Sequence, residues 1–340
     1  MAQTVGELGE SGVLQRVLSR LSVADAAVLG PGDDCAVLSV RGELVVTTDT
    51  MIEGPDFRAA WHGGFELGWK LAATNLSDVA AMGARPTALT LALAVPRDTP
   101  VSLLEQIAEG MTAACRTLAP GCGVVGGDLG TAPVITAAVT ALGELADRPA
   151  VTRSGARAGD RIAYAGELGL AGMGLSLLFA AAADEDGIAD PAPMAELWET
   201  QPEILSAQLA PTPPIPLGIA AAAAGASAMM DVSDSLSIDA HRMARASEVR
   251  LDLSSARLSE AFGVQQGVAV PIEAMLSGGE DHGLLATFPP TAELPHGFSV
   301  IGEVSPAALP GHGDSSGLLL DGAPVAPSGW DPYVVRWPGA

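Results

Sequence analysis

"LAATNLSDVAAMGARPTALTLALAV", residues 71–95, passes from one kind of element into another. The stretch before Gly83 belongs to a helix expected over about 65–82, and the apolar run at 87–95 has the length and composition of a buried strand. Upstream lie a strand-like run at 44–48 (LVVTT) and a helix at 9–21, where Val13, Leu14, Val17, Leu18 and Leu21 recur at helical spacing. Downstream follow a helix at 101–118, a short strand at 122–125 and a strand at 133–142 (PVITAAVTAL). Helices alternating with strands make the first half α/β.

A polar, turn-rich passage, "ADRPAVTRSGARAGD" at 146–160, separates a first domain, 1–148, from a second, 149–340. Two domains suit a chain of 340 residues. The second half is mixed, with strands at 161–165, 228–232, 249–253, 284–288 and 299–303 and helices at 236–247 and near 271–276. The acidic, proline-rich segment 184–216 is expected as an exposed excursion.

Composition excludes several classes of function. Seventeen basic residues against 40 acidic ones give a net charge of −23, which argues against nucleic acid and anionic membranes as partners. Lys70 is the single lysine, so no phosphate loop ending in Gly-Lys-Ser/Thr exists. Cys35, Cys115 and Cys122 are odd in number and follow no metal-ligand spacing, which fits a reduced cytoplasm. The N-terminus MAQTVGELGESG lacks the basic start and apolar core of a signal peptide. The weakly apolar stretches 166–183 and 213–230, interrupted by Glu167 or by prolines, read as buried helices rather than membrane spans.

Acidic residues recur at the ends of expected elements, in GDDCAV (Asp33, Asp34), TTDT (Asp49), NLSD (Asp78), GGD (Asp128), DVSD (Asp231, Asp234) and GGED (Glu280, Asp281). Their neighbours are Val, Leu, Ala, Met and Gly, and one lysine and sixteen arginines cannot pair with 40 acids. A divalent metal resolves the imbalance. Carboxylates with the hydroxyls of Thr47, Thr48 and Ser233, without His/Cys pairs, select Mg²⁺ or Mn²⁺, and so many dispersed aspartates suggest several ions bridging a polyphosphate. Taken singly, a GGD or TTD is a turn more often than a ligand. Chemistry alone does not separate Asp33 from Asp34, Asn75 and Asp78 form a joint site or a surface hydrogen bond, and Ser233 either serves the site or caps the helix starting near Leu236. None of His62, His241, His282, His296 and His312 falls into a triad-like arrangement, although His282 adjoins a suspected site.

Taken in order, GPGDDCAVL, VVTTDTMIEG, LAATNLSDVAAMGARP, VVGGD, VTRSGARAGD, DVSDSLSID, MLSGGEDH and GWDPY resemble the thiamine-monophosphate kinase family over nearly the whole chain. That family sits in a superfamily with aminoimidazole ribonucleotide synthetase and selenophosphate synthetase. The resemblance implies a two-domain α/β (α+β) fold, with a first domain that forms a β-barrel across a homodimer and a second α/β domain. It implies ATP-dependent phosphorylation of thiamine monophosphate, with Asp34, Thr47, Thr48, Asp49, Asp78, Asp128, Asp231 and Asp234 holding magnesium. Gly127, Asp128, Arg153 and Ser233 would serve ATP, and Asp56, Glu280 and Trp330 the thiamine substrate. Departures fall at Asp56, where the family often has histidine before a phenylalanine kept here as Phe57, and at Thr131, Ser235 and His282-Gly283. They bear on substrate affinity before they bear on phosphoryl transfer. Aminoimidazole ribonucleotide synthetase and a catalytically silent binder of nucleotide or thiamine phosphates are the alternatives.

Overall fold

A computed structural model of the chain describes residues 3–307 and 316–330. The first half contains helix α1 (Glu10–Leu18), strand β1 (Leu44–Ile52), helix α2 (Gly64–Ala81), strand β2 (Arg85–Val95), helix α3 (Val101–Leu118) and strands β3 (Val124–Thr131) and β4 (Thr136–Glu144). The four strands form one sheet in the order β1-β4-β2-β3, antiparallel except for the β2–β3 pair. Strand alternation gives the sheet two unlike faces. On one, Leu89, Val139 and Ala141 pack against α2 and α3, with Leu71, Leu76, Leu104, Ile107 and Met111. The other carries Thr48, Thr140 and Thr90 in one row, and a small hairpin, Ala27–Leu29 with Val37–Leu38, meets only the end of it at Ala88 and Leu142.

Helix α2 is buried on nearly all sides. Its close approach to α3 depends on two glycines: a Cβ on Gly68 would stand 2.0 Å from the Ile107 carbonyl oxygen, and one on Gly110 2.0 Å from that of Phe65. Its far side meets the second half of the chain, where Gly218 lies as close to Ala80.

The second half builds a seven-stranded sheet from β5 (Arg161–Ala165), β6 (Ala228–Val232), β7 (Val249–Leu253), β8 (Gly283–Phe288), β9 (Ser299–Pro306), β10 (Gly317–Leu320) and β11 (Ala323–Pro324). Their order is β11-β10-β7-β9-β5-β8-β6, and only β10 with β7 is parallel. Helices α4 (Leu170–Ala181) and α5 (Pro202–Leu209) pack chiefly against each other, while α6 (Leu236–Ala246) packs on the sheet. A separate core forms on one face of this sheet, with Ile162, Tyr164, Met230, Leu236, Met243 and Leu251. No helix among the described residues is long and apolar enough to cross a membrane.

Two expectations change. Segment 184–216 is not an excursion throughout: Met194–Thr200 and α5 are helical, with Ile204, Leu205 and Leu209 buried. The apolar spacing of α5 was hidden by the prolines and acids around it. Strands β1 and β3 also run on through TTDT and VVGGD, so Asp49 and Asp128 lie inside strands rather than in turns after them.

Candidate active site

The acids converge where α2, the end of β1 and the loop after β6 meet. Thr47 and Asp49, two apart on β1, share the face toward α2, and the Thr47 hydroxyl donates to Asp78 Oδ2 at 3.1 Å. Thr48 points the other way, donating to the Val139 carbonyl at 2.9 Å and accepting from Thr140. Its hydroxyl therefore points away from Thr47 and Asp49. Asn75, three residues before Asp78, is buried and donates to the Leu71 carbonyl at 2.9 Å, so no surface hydrogen bond joins the two.

Asp231, next to last in β6, reaches back to α2, accepting from Ser77 Oγ at 3.0 Å, with His282 Nδ1 at 3.4 Å. The following loop is shaped by a residue the motifs did not single out. Asp239 is fully buried, and its Oδ2 accepts from the backbone N–H groups of Ser233, Asp234 and Ser235 at 3.1, 3.0 and 3.3 Å. Arg242 bridges Asp239 and Asp234. The N-cap of α6 is Ser235, which accepts from Ile238 N–H, so the open question about Ser233 is settled against capping.

Electrostatics mark this cluster as costly without a cation. Burial, then the charges of Asp231 and Asp49, pushes Asp78 up to about 7. Burial also raises Asp49, which His282 partly offsets while Asp231 and Asp234 add to it. For His282, burial acts downward, but the hydrogen bond and charge of Asp231, with Glu280 beyond, outweigh it and raise its pKa. Among the described residues no three His, Cys, Asp or Glu side chains gather tightly enough to enclose one metal. An oxygen-only, partly open donor set of this kind suits Mg²⁺, which keeps water and substrate phosphates in its shell.

Beside the acids lies a cleft of about 790 Å³ whose walls include Asp56, Arg58, Met173, Phe179, Glu280 and Trp330. The three residues expected to meet the acceptor are thus in one place. The Ile52 N–H donates to Asp56 Oδ2 at 2.8 Å, and burial raises the pKa of that carboxyl. Trp330 is held by its N–H on the Asp234 carbonyl, while Asp331 to Tyr333 of GWDPY lie outside the described residues. Glu280 and Asp281, adjacent in sequence, part company. Asp281 is buried and accepts from the N–H groups of Gly169 and Ala171 at the start of α4, while Glu280 pairs with the fully buried Lys70 at 3.0 Å.

Asp34, Gly127 and Asp128 gather elsewhere, around a cavity of about 300 Å³ walled by Leu14, Val17, Ile107 and Met111. Asp33 accepts from the Asp34 N–H at 2.8 Å, and both residues are exposed. The register aligns Asp49 with Val139, Leu91 and Gly127, so the two groups stand at opposite edges of the four-stranded sheet, three strand spacings or about 14 Å apart. Arg153 is exposed, its carbonyl anchored by Ser247 Oγ, and it has no ion pair among the described residues.

Residues 32–145 match the family model "AIR synthase related protein, N-terminal domain", a span containing Asp34, Asp49, Asp78 and Asp128. Thiamine-monophosphate kinase of Mycobacterium tuberculosis is 38% identical over 307 residues, covering 88% of this chain and 86% of that protein. This chain belongs to the thiamine-monophosphate kinase family. The Stenotrophomonas maltophilia thiamine-monophosphate kinase structure superimposes with a TM-score of 0.70 at 30% identity, over 93% of this chain and 96% of that one. A structure described as "AaThiL complexed with AMPPCP and TMP" matches with a TM-score of 0.68 at 30% identity, over 97% and 99%.

Proposed function

We propose that this chain transfers the γ-phosphoryl group of ATP to thiamine monophosphate, giving thiamine diphosphate and ADP. One observation carries the reading. The cleft lined by Asp56, Glu280 and Trp330 opens beside Asp49, Asp78, Asp231 and Asp234, so an acceptor in the cleft meets a polyphosphate at the acids. A family relative solved with both AMPPCP and TMP supports the pairing of ligands.

Asp34, Thr47, Asp49, Asp78, Asp128, Asp231 and Asp234 would hold Mg²⁺, or Mn²⁺ in its place. When bound, such ions neutralise the charge between two polyanions and polarise the transferred group. Thr48 would join these ligands through its backbone carbonyl, because its hydroxyl is engaged on the opposite face of β1. Gly127 would serve ATP, and the sheet itself requires glycine there, since a Cβ would stand 2.0 Å from the Leu91 carbonyl oxygen. The apolar cavity that ends at Gly127 and Asp128 suits the base, and Arg153 and Ser233 the phosphates. The acceptor oxygen is a phosphate already ionised near neutral pH. No general base is required, and positioning with charge neutralisation suffices for direct in-line transfer.

We infer a homodimer from the same sheet. Strands β1 and β3 run parallel to each other and form its two open edges, with Leu44, Val46 and Ile52 exposed along β1. A two-fold that sets β3 of one copy beside β1 of another closes a barrel over the threonine-lined face. Such an arrangement would bring Asp34 and Asp128 of one copy toward Asp49 and Asp78 of the other and so close the separation found within one chain. Three cysteines free of disulfides favour the cytoplasm as its location.

The test is to incubate the purified protein with ATP and Mg²⁺ and either thiamine monophosphate or free thiamine. The expected product is thiamine diphosphate from the monophosphate alone. Phosphorylation of free thiamine, or no transfer to either, contradicts the proposal.

A further inference from the structure

Lys70 is the single lysine of 340 residues, and its side chain is completely buried. Burying an ammonium group is unfavourable unless it is paired and hydrogen-bonded, and an apolar side chain of similar volume would serve packing at least as well. Lys70 reaches across from α2 to donate to the Gln208 carbonyl at 3.0 Å on α5 and to Glu280 Oε1 at 3.0 Å. The other Glu280 oxygen, Oε2, accepts from Gln208 Nε2. Both oxygens are thereby fixed, each with acceptor capacity left over, while 28% of the side chain remains open to the cleft. The backbone reinforces this aim. Glu280 sits at φ +67°, a conformation an L-residue holds only under constraint, and its N–H donates to the Ser233 carbonyl at 2.7 Å.

We propose that Lys70, with Gln208, is a positioning residue that presents Glu280 as an oriented hydrogen-bond acceptor for an N–H group on the ring system of the acceptor. This rests on the placement of thiamine monophosphate in the cleft. Because Lys70 offsets the charge of Glu280, the pair carries little net field into the cleft and reads a donor rather than a cation. Asp56, which accepts a backbone N–H and has no ion-pair partner among the described residues, is left to face the positive ring. Thiamine monophosphate carries both groups, an aminopyrimidine and a thiazolium.

Steady-state kinetics test this on wild type, Glu280→Gln, Lys70→Met and the double variant, with thiamine monophosphate and an analogue lacking the pyrimidine amino group. Glu280→Gln is expected to raise the acceptor KM about tenfold or more, as loss of one charge-assisted hydrogen bond does, with the KM for ATP within twofold. Lys70→Met is expected to do the same, and the double variant to match Glu280→Gln alone, because Lys70 acts through Glu280. Wild type is expected to discriminate against the analogue, and the variants to lose most of that discrimination. If Glu280→Gln leaves the acceptor KM unchanged in an enzyme that still makes product, the placement of the acceptor against Glu280 fails. If Glu280→Gln behaves as expected but Lys70→Met leaves acceptor KM and discrimination intact, the positioning role fails while the acceptor site stands. Should Lys70→Met not fold, the double variant, which removes both charges, decides: an acceptor KM well above that of Glu280→Gln overturns the proposal.

Discussion

At the scale of single residues, neighbours of like chemistry have different fates. Thr47 and Thr48 are interchangeable on paper, but a strand sends successive side chains to opposite faces, and only Thr47 reaches Asp78. Thr47→Val is expected to lower turnover about tenfold, the usual scale for losing a polar contact beside charged groups, and Thr48→Val to change it by less than about threefold. Equal losses in parallel kcat measurements would contradict the assignment. The acids at the heart of the cluster were legible because carboxylates among apolar neighbours demand a partner. Lys70 was visible as a lone lysine, but its role depends on Glu280, 210 positions away, and no local pattern announces such a pairing. Asp239 was hidden likewise, as it looks like any polar residue in the first turn of a helix until its three backbone donors are seen.

At the scale of elements, α2 positions the site because it is clamped between the sheet, α3 and the second half of the chain. The clamp requires glycine at the crossing. Gly68→Ala is expected to destabilise the protein by about 3 kcal/mol in urea unfolding, since its Cβ would meet the Ile107 backbone oxygen at 2.0 Å and neither helix can move without disturbing the core. A cost below about 1 kcal/mol would mean that the helices are free to separate. Apolar content and length identified α2 and α3 nearly to the residue, because both are long, uninterrupted helices. They stopped β1 and β3 too early, since sheet pairing rather than local composition carries a strand through TTDT and VVGGD. Composition misled at 202–209, where flanking prolines and acids concealed a buried helix.

At the scale of the whole molecule, charge sets how the protein responds to pH. Asp78 and Asp281 are raised to about 7 and Asp239 to about 6, each chiefly by burial, while an aspartate in the unfolded chain titrates near 3.8. Between about pH 4 and 7 the folded state therefore holds protons that the unfolded state has lost, and stability falls as pH rises. His282, also raised, loses its stabilising charge in the same direction. Without divalent metal the Tm is expected to fall from pH 5.5 to pH 8, and Mg²⁺ to restore more of it at pH 8, where Asp78 is ionised. A Tm that climbs with pH in metal-free buffer would contradict the raised carboxylates. Assembly is the second property at this scale. Sedimentation should give about twice 34.2 kDa, and Val46→Asp, on the exposed face of β1, should yield monomers with little activity. Fully active monomers would remove the second copy from the site. The expectation of a barrel rests on family resemblance, because periodicity shows a strand but not what its edge will meet.

The most direct test of the central claim, that these acids hold the metal for transfer to thiamine monophosphate, is turnover against free Mg²⁺ for wild type and Asp49→Asn side by side. The account predicts no turnover without divalent metal, a saturable rise with Mg²⁺, and a loss of at least about a hundredfold for Asp49→Asn at every concentration, the scale of removing a charge-stabilising group. Transfer that proceeds without divalent metal, or an Asp49→Asn enzyme that keeps pace with wild type, would contradict it.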